Sequence, residues 1–417
     1  MGNAHLKELR FTINKLERYY GPEIFFKHKF RFSMLLNFLL WIIRLIMLVM
    51  LVVSILPLIP SGQWWVRLWD FPRLQLTGLL VVPVLMLGLH AWLKRPQKEH
   101  AAWIAVILAI AGWHLYHILP FTSVWPTEVP TAEVQSGEKQ THLSVLTANV
   151  TFKNDRFDEI LAMVRREDPD LVLLIEVDHN LAEGLASLDD DYAYRDGEVR
   201  DEGLGIVLWS RIPLLEKEVK HLVSERRPSI FATLDVPEIG PVRFVGAHPV
   251  PPGLHERNAS KGDTEERRDS RERDAELMLI ARHVQEDPDN RWIVTGDFND
   301  VGWSDTTRLF ADLSDLKDPR RGRRLLSTYH AEYPLWRYPI DHLFVSDGFH
   351  LVDLDRVEVL GSDHFGIFTT LAVDRKDQAK PEASAEEEEE AQEMVEEGAE
   401  DAAEHDISAS ETGQGGS

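Results

Sequence analysis

Asp297 and Asn299 close an apolar run, in the stretch "IVTGDFND". Strand alternation predicts both polar side chains on one face, with Phe298 on the other. The pattern recurs along the chain. Asn149 ends "LSVLTANV", Glu176 follows "LVLLI", and His248 lies near the end of "VRFVGAHPV". Asp341 opens "DHLFVS", and Asp363 with His364 precedes "FGIFTTLAV". One strand-end acid commonly caps a turn, but an unpaired carboxylate there is costly. So many in one domain imply a shared task. Carboxylates with an amide, in a chain without cysteine, suit a hard, oxygen-loving cation such as Mg²⁺ or Mn²⁺. Histidines with acids at hand suit hydrogen bonding to a phosphate, or proton transfer.

The elements that must position these residues alternate in type. "RFDEILAMVRRED" has helical periodicity, and a long charged helix is predicted at roughly 265–285. "GIVLWS" and "SIFATLDV" are further strands. Strands and helices in this mixture predict an α/β domain around more than one sheet. His342, beside Asp341, reads as a packing residue. The absence of cysteine also excludes disulfides, thiolate nucleophiles and Cys-ligated zinc.

Charge narrows the substrate. The net charge is −24. Residues 143–373 hold 28 Lys and Arg against 45 Asp and Glu, which disfavours a groove tracking many nucleic-acid phosphates. The basic cluster "DPRRGRRL" reads as a solvated loop, or as a phosphate contact rimming the site. "HERNASKGDTEERRDSRER" mixes signs and reads as a mobile loop.

The first 120 residues differ in kind. Three apolar stretches, at 35–58, 76–93 and 101–119, each approach the roughly 20 residues that cross a bilayer. Arg44 interrupts the first, either snorkelling or facing another helix. Trp64, Trp65 and Trp69 follow it as interfacial aromatics. His114 and His117 share helical spacing and read as one face of a packed span. Lys7, Arg10, Lys15, Arg18, Lys27, Lys29 and Arg31 lead the first span; Lys94, Arg95 and Lys98 lie between the second and third. Only Arg67 and Arg73 lie between the first and second. The positive-inside bias then sets the N-terminus in the cytoplasm and the later domain outside an inner membrane. The predicted organisation is a membrane anchor (1–120), a solvated linker (121–141), a catalytic domain (142–373) and a disordered, dispensable acidic tail (374–417).

"TANV", "LVLLIEV", "GAHPVPP", "GDFND", "IDHLFVS" and "SDHFGI", in this order, resemble the endonuclease/exonuclease/phosphatase superfamily over about residues 142–373. The resemblance implies a four-layer α/β sandwich of two mixed β-sheets flanked by helices, with the site at one edge. It implies metal-dependent hydrolysis of a phosphoester, with Mg²⁺ or Mn²⁺ held by Glu176, Asn149 and Asp363. Asp297 would hold or deprotonate the attacking water, and Asn299 would orient that water and the phosphate. His248 and His364 would bond phosphate oxygens, with Asp341 fixing the His364 ring. Arg226 or Arg227 matches a phosphate-contacting arginine, Arg226 being favoured. Membrane phosphoesters, including lipid headgroups, rank first as substrate and nucleic acid second. A non-catalytic binding domain is the third reading, and the filled set of polar positions speaks against it.

Overall fold

The computed structural model describes residues 22–94, 98–132, 141–253, 255–258, 264–267, 269–373 and 384–405. Two compact units result: the chain up to Leu56 with Leu74–Leu115, and Pro57–Arg73 with the chain from Tyr116 onward.

The first unit is helical. Helices α1 (Pro22–Ile55), α2 (Arg73–Leu79), α3 (Val81–Lys94) and α4 (Lys98–Ile118) run in chain order. Three stretches, Met34–Leu58, Arg73–Lys94 and Lys98–Phe121, are long and apolar enough to cross a membrane. Phe38, Trp41, Leu48 and Leu85 are exposed on these helices, where a water-facing helix would be polar. Arg44 meets another helix: its guanidinium grips Glu99 through two bonds of 2.7 and 3.0 Å, the bidentate geometry that best satisfies a cation among apolar neighbours. His114 is buried against Ser54 at 2.9 Å, as a packed face requires.

The second unit is built from strands β1 (Thr141–Asn149), β2 (Leu171–Ile175), β3 (Tyr194–Glu198), β4 (Ile206–Ser210), β5 (Leu214–Lys220), β6 (Ser229–Val236) and β7 (Gly240–Ala247). They continue with β8 (His255–Asn258), β9 (Thr264–Arg267), β10 (Arg291–Asp297), β11 (Asp341–Val345), β12 (Phe349–Glu358) and β13 (Phe365–Val373). One sheet has the order β12-β13-β1-β2-β4-β3, the other β11-β10-β7-β6-β5. Each is mixed, since β1/β2 and β7/β10 are parallel and the other pairs antiparallel. Their inner faces share one core containing Leu143, Leu173, Ile230, Phe244, Ile293 and Leu371. The sheets approach so closely that a Cβ on Gly246 would lie 2.7 Å from the Leu173 side chain. Thr147 and Thr295 join hydroxyls across the gap at 2.8 Å, which satisfies two polar groups in an otherwise apolar layer.

Helices form the outer layers. Helices α5 (Phe157–Glu167) and α6 (His179–Gly184) pack on the first sheet. Helices α7 (Arg271–Glu286), α8 (Asp305–Ser314) and α9 (Ala385–Glu404) pack on the second. This is the four-layer sandwich expected. Helix α7 starts later than the predicted residue 265, because Thr264–Arg267 pairs with His255–Asn258 as a hairpin inside the predicted mobile loop.

Two segments depart from the sequence reading. The first half of the "solvated" linker is packed: Phe121 and Val129 are buried, and the Ala132 amide donates to the Leu351 carbonyl at 2.9 Å. Residues 133–140 of that linker lie outside the described residues. Part of the "disordered" tail is helix α9, opened by a capping box between Ser384 and Glu387. Its Glu-rich sequence conceals a buried stripe of Ala391, Val395, Gly398 and Ala402 at helical spacing. A Cβ on Gly398 would sit 2.2 Å from the Ala275 Cβ, and Asp401 pairs with Arg271 at 2.7 Å. Gly398→Val therefore wedges α9 off α7. Overpacking of this kind costs about 1–3 kcal/mol, so the thermal midpoint falls by several degrees. Truncation after residue 383 lowers it similarly. An unchanged midpoint in both variants would show that α9 contributes nothing to the fold.

Candidate active site

The polar strand ends converge at one edge of the sandwich. Asn149, at the end of β1, donates through its amide to Glu176 at 2.9 Å and to Asp297 at 3.0 Å. Asp297 ends β10 and stands opposite Asp341 in the register with β11. Asp341 accepts the His364 Nδ1–H at 2.9 Å, and the other ring nitrogen of His364 lies 3.7 Å from Asp297. His248, just past β7, brings Nε2 to 3.8 Å from Asp297 and 4.0 Å from Glu176. Asp363 is held by the Thr151 hydroxyl at 2.7 Å.

The backbone is contorted where the site needs it. Gly296 has φ +154°, and a Cβ there would lie 1.9 Å from the Ala247 carbonyl oxygen. Only glycine permits β10 to end against β7 in this way. Thr151, Glu176 and Asn299 all have positive φ (61°, 66° and 52°), a conformation that costs non-glycine residues free energy and clusters at functional sites. Asn299 also corrects the alternation argument. The strand stops at Asp297, and Asn299 is placed by a left-handed turn, with its backbone amide on Asp297 at 2.9 Å and its side chain on the Pro249 carbonyl at 3.0 Å. Phe298 does face away, into the core with Phe310 and Phe344.

Burial and charge tune the titratable groups. Burial first, and then Asp341, push the Asp297 carboxyl up to about 7. Burial opposes charge on His364, but Asp341 and Asp297 overcome it and raise the ring to about 10. It is an imidazolium at neutral pH. His248 goes the other way, held well below its ordinary value by burial, Arg227 and His364. One histidine is thus a charged donor and the other neutral, which separates their chemistry.

Arg227 is the arginine that acts on His248. It is buried, whereas Arg226 reaches outward to Glu202 at 3.3 Å. Both lie in the tight Ser224–Arg227 turn, in which the Arg227 amide donates to the Ser224 carbonyl at 3.1 Å. His342 is a packing residue as expected, buried in a cluster with Phe298 and Phe344, its Nε2 on the Asp300 carbonyl at 2.8 Å.

Several positioning residues escaped the sequence reading. Ser362 donates to the Asn149 carbonyl at 2.7 Å and accepts the His364 amide at 2.9 Å. The Tyr329 ring lies 4.8 Å from that of His364. Arg273, fully buried, donates to the Asn299 carbonyl at 3.0 Å and pairs with Asp274 and Asp300. Arg320, from the basic cluster, is also buried and donates to the Asp341 carbonyl at 2.9 Å. Its neighbours Arg321, Arg323 and Arg324 are engaged by Glu128, the Val129 carbonyl and Asp355. The cluster is scaffolding, neither a solvated loop nor a phosphate rim. Only the adjacency of Thr151 to "TANV" and of Ser362 to "DH" signalled these roles in the sequence.

The donor set fits a hard divalent cation. Glu176, Asp297, Asp341 and Asp363 offer oxygen alone, and the buried Asp341 Oδ1 has no hydrogen-bond partner among the described residues. Ligand atoms of Asp297, Asp341 and His364 lie within 4.8 Å of one another. Within that trio the His364 Nδ1 is already engaged by Asp341 at 2.9 Å.

Residues 146–364 match the model of the Endonuclease/Exonuclease/phosphatase family. The chain belongs to that family. It is a hydrolase of phosphate ester bonds, of phosphodiesterase or nuclease type, and divalent-metal dependent. A search among curated proteins returns no match. Solved structures with a similar fold include an endonuclease/exonuclease/phosphatase from Beutenbergia cavernae, at 23% identity over 56% of this chain and 72% of that one, TM-score 0.42. Another is the human Nocturnin catalytic domain, at 17% identity over 57% and 96%, TM-score 0.43. A third is a family member from Bacteroides vulgatus, at 18% identity over 56% and 100%, TM-score 0.43.

Proposed function

We propose that the protein is a membrane-anchored phosphoesterase of the outer face of an inner membrane, using Mg²⁺ or Mn²⁺. Its substrate is a phosphodiester or phosphomonoester of the envelope, with lipid headgroups as the leading class. The observation that carries this reading is the buried array Asp341–His364–Asp297, placed against Asn149 and Glu176. Glu176, with Asn149 and Asp363, would hold the cation. When bound, the cation supplies charge to offset the developing negative charge of the phosphoryl oxygens. Asp297 accepts a proton from the attacking water, because it is the buried carboxylate whose affinity for a proton is raised. The His364 imidazolium donates to a phosphoryl oxygen in the transition state, oriented by Asp341. His248 is neutral and offers a second donor, and Arg227 is the phosphate-side arginine.

The outer placement rests on the Lys/Arg asymmetry of the loops. The lipid preference rests on the three apolar helices and the acidic balance of the domain, which also weighs against a nuclease. The full chain in nanodiscs is expected to hydrolyse bis(p-nitrophenyl) phosphate with Mg²⁺ or Mn²⁺, to lose that activity with a chelator, and to prefer phospholipid over single- or double-stranded DNA. Metal-independent activity, or a preference for DNA, would overturn the reading.

A further inference from the structure

Between Thr328 and Asp341 the chain makes a narrow excursion whose base is the site itself. Tyr329 and Tyr338 pair through their backbones, and the Thr328 amide also donates to the Tyr338 carbonyl at 2.9 Å. On one side of that base, the Ala331 amide donates to the Asp363 carbonyl at 2.6 Å and Tyr329 lies on His364. The tip is the short turn Pro334–Trp336. It does what a water-facing turn should not: Tyr333, Leu335 and Trp336 are 57%, 78% and 61% exposed, in consecutive or near-consecutive positions. Scattered apolar residues on a surface need no explanation, but a contiguous group of this size does.

The other side of the base identifies what covers it. Tyr338 receives the edge of Phe71, ring centroids 5.6 Å apart. Phe71, Tyr329 and Tyr338 pack on one cluster with Phe121, Trp303 and Ile340. Phe71 lies two residues before Arg73, where the second apolar stretch begins, a reach of at most about 7 Å of chain. Phe121 is the last residue of the third stretch. The excursion is thus clamped at the points where the chain enters and leaves the apolar stretches. The same inter-span segment exposes Trp65 and Leu68, each at 49%. Arg337 and Arg356 stack over the Phe365 ring at 4.8 and 4.2 Å, putting positive charge behind the apolar tip. Aromatic and aliphatic residues backed by cations are the composition that enters an anionic membrane interface.

We infer that the 329–338 excursion inserts Leu335 and Trp336 into the headgroup layer of the membrane that carries the chain, so that the site takes phosphoesters held in that layer. The choice of substrate rests on the function proposed above; the insertion does not. Because the chain has no cysteine, one introduced thiol reports one position. The full-length protein carrying Trp336→Cys, labelled with nitrobenzoxadiazole, is placed in phosphatidylethanolamine/phosphatidylglycerol nanodiscs containing doxyl-labelled lipid. Leu215→Cys, at an exposed position on β5, is the control. Quenching at 336 and none at 215 is the expected result. Absence of quenching at 336 overturns the insertion, including the case in which the label is shielded by a protein partner or a second copy. The double variant Leu335→Asp/Trp336→Asp then tests access. The ratio of the rate on nanodisc phospholipid to that on soluble bis(p-nitrophenyl) phosphate should fall by about tenfold or more, as lost interfacial burial predicts. An unchanged ratio overturns the role in substrate access. If neither ester is hydrolysed, the proposed function fails while the quenching result still decides the insertion.

Discussion

Asp297→Asn lowers turnover by at least about 10²-fold and up to about 10⁴-fold, the range spanned by a positioned general base. The amide keeps the size of the carboxylate and can still accept the Asn299 backbone N–H, which lies 2.9 Å from Oδ1. What it loses is the capacity to take a proton from water. The substitution removes a buried negative charge facing Asp341 but sets an NH₂ group where Oδ2 accepts from Asn149 at 3.0 Å; the two effects oppose, so the thermal midpoint changes far less than the activity. Stability and activity therefore separate, and the loss is one of chemistry. Glu176→Gln contrasts with it. Glu176 is the partly exposed carboxylate, accepting from Asn149 and from the Phe152 amide at 2.8 Å, and its replacement weakens cation binding before it removes the proton acceptor. Excess Mg²⁺ or Mn²⁺ should partly restore Glu176→Gln and leave Asp297→Asn unrescued. Activity close to wild type in Asp297→Asn, at any metal concentration, would show that another group activates the water.

The polar residues were legible because each breaks an apolar strand at its end, a conflict between burial and charge that a sequence displays openly. "GDFND" and "SDHFGI" also kept their order and spacing, and so fixed the family and its four layers. What supports these residues was not legible. Arg273 and Arg320 sit in charged stretches of a kind that normally face water, and only long-range packing makes them buried donors to the Asn299 and Asp341 carbonyls. Arg226 and Arg227 are neighbours in sequence, and the turn alone decides which one faces His248. Helix α9 was missed because its acidic composition outweighs four small residues in any average, although their spacing carries the contact. The packing of the inter-span segment was not legible either, because neither Asp70, whose carbonyl accepts the Trp303 indole at 2.7 Å, nor Gly62, whose carbonyl accepts the Ser270 amide at 2.7 Å, bears a mark of its partner.

Those supports bear most directly on His364, where the second large effect is expected. His364→Ala should cut turnover by about 10²–10³-fold, the usual cost of removing one donor aimed at a developing oxyanion. Asp341→Asn should cost a comparable factor without touching substrate. Asp341 is 1% exposed, its Oδ2 accepts the ring Nδ1–H at 2.9 Å, and with Asp297 it is what keeps the ring charged despite burial. An amide in its place can turn its NH₂ toward Nδ1 and select the wrong tautomer, or present its oxygen without the charge. Either way, a single function is lost through two residues. Residues that act as one unit are strongly non-additive. The double variant Asp341→Asn/His364→Ala should therefore be no slower than His364→Ala alone. Nitrogen-15 spectra of the labelled ring give an independent reading: the wild-type His364 is an imidazolium at neutral pH, and Asp341→Asn shifts it toward the neutral form. Additive losses, together with an unchanged ring spectrum in Asp341→Asn, would mean that Asp341 acts on the reaction by itself and that the Asp341–His364 pair is not the device that charges the donor.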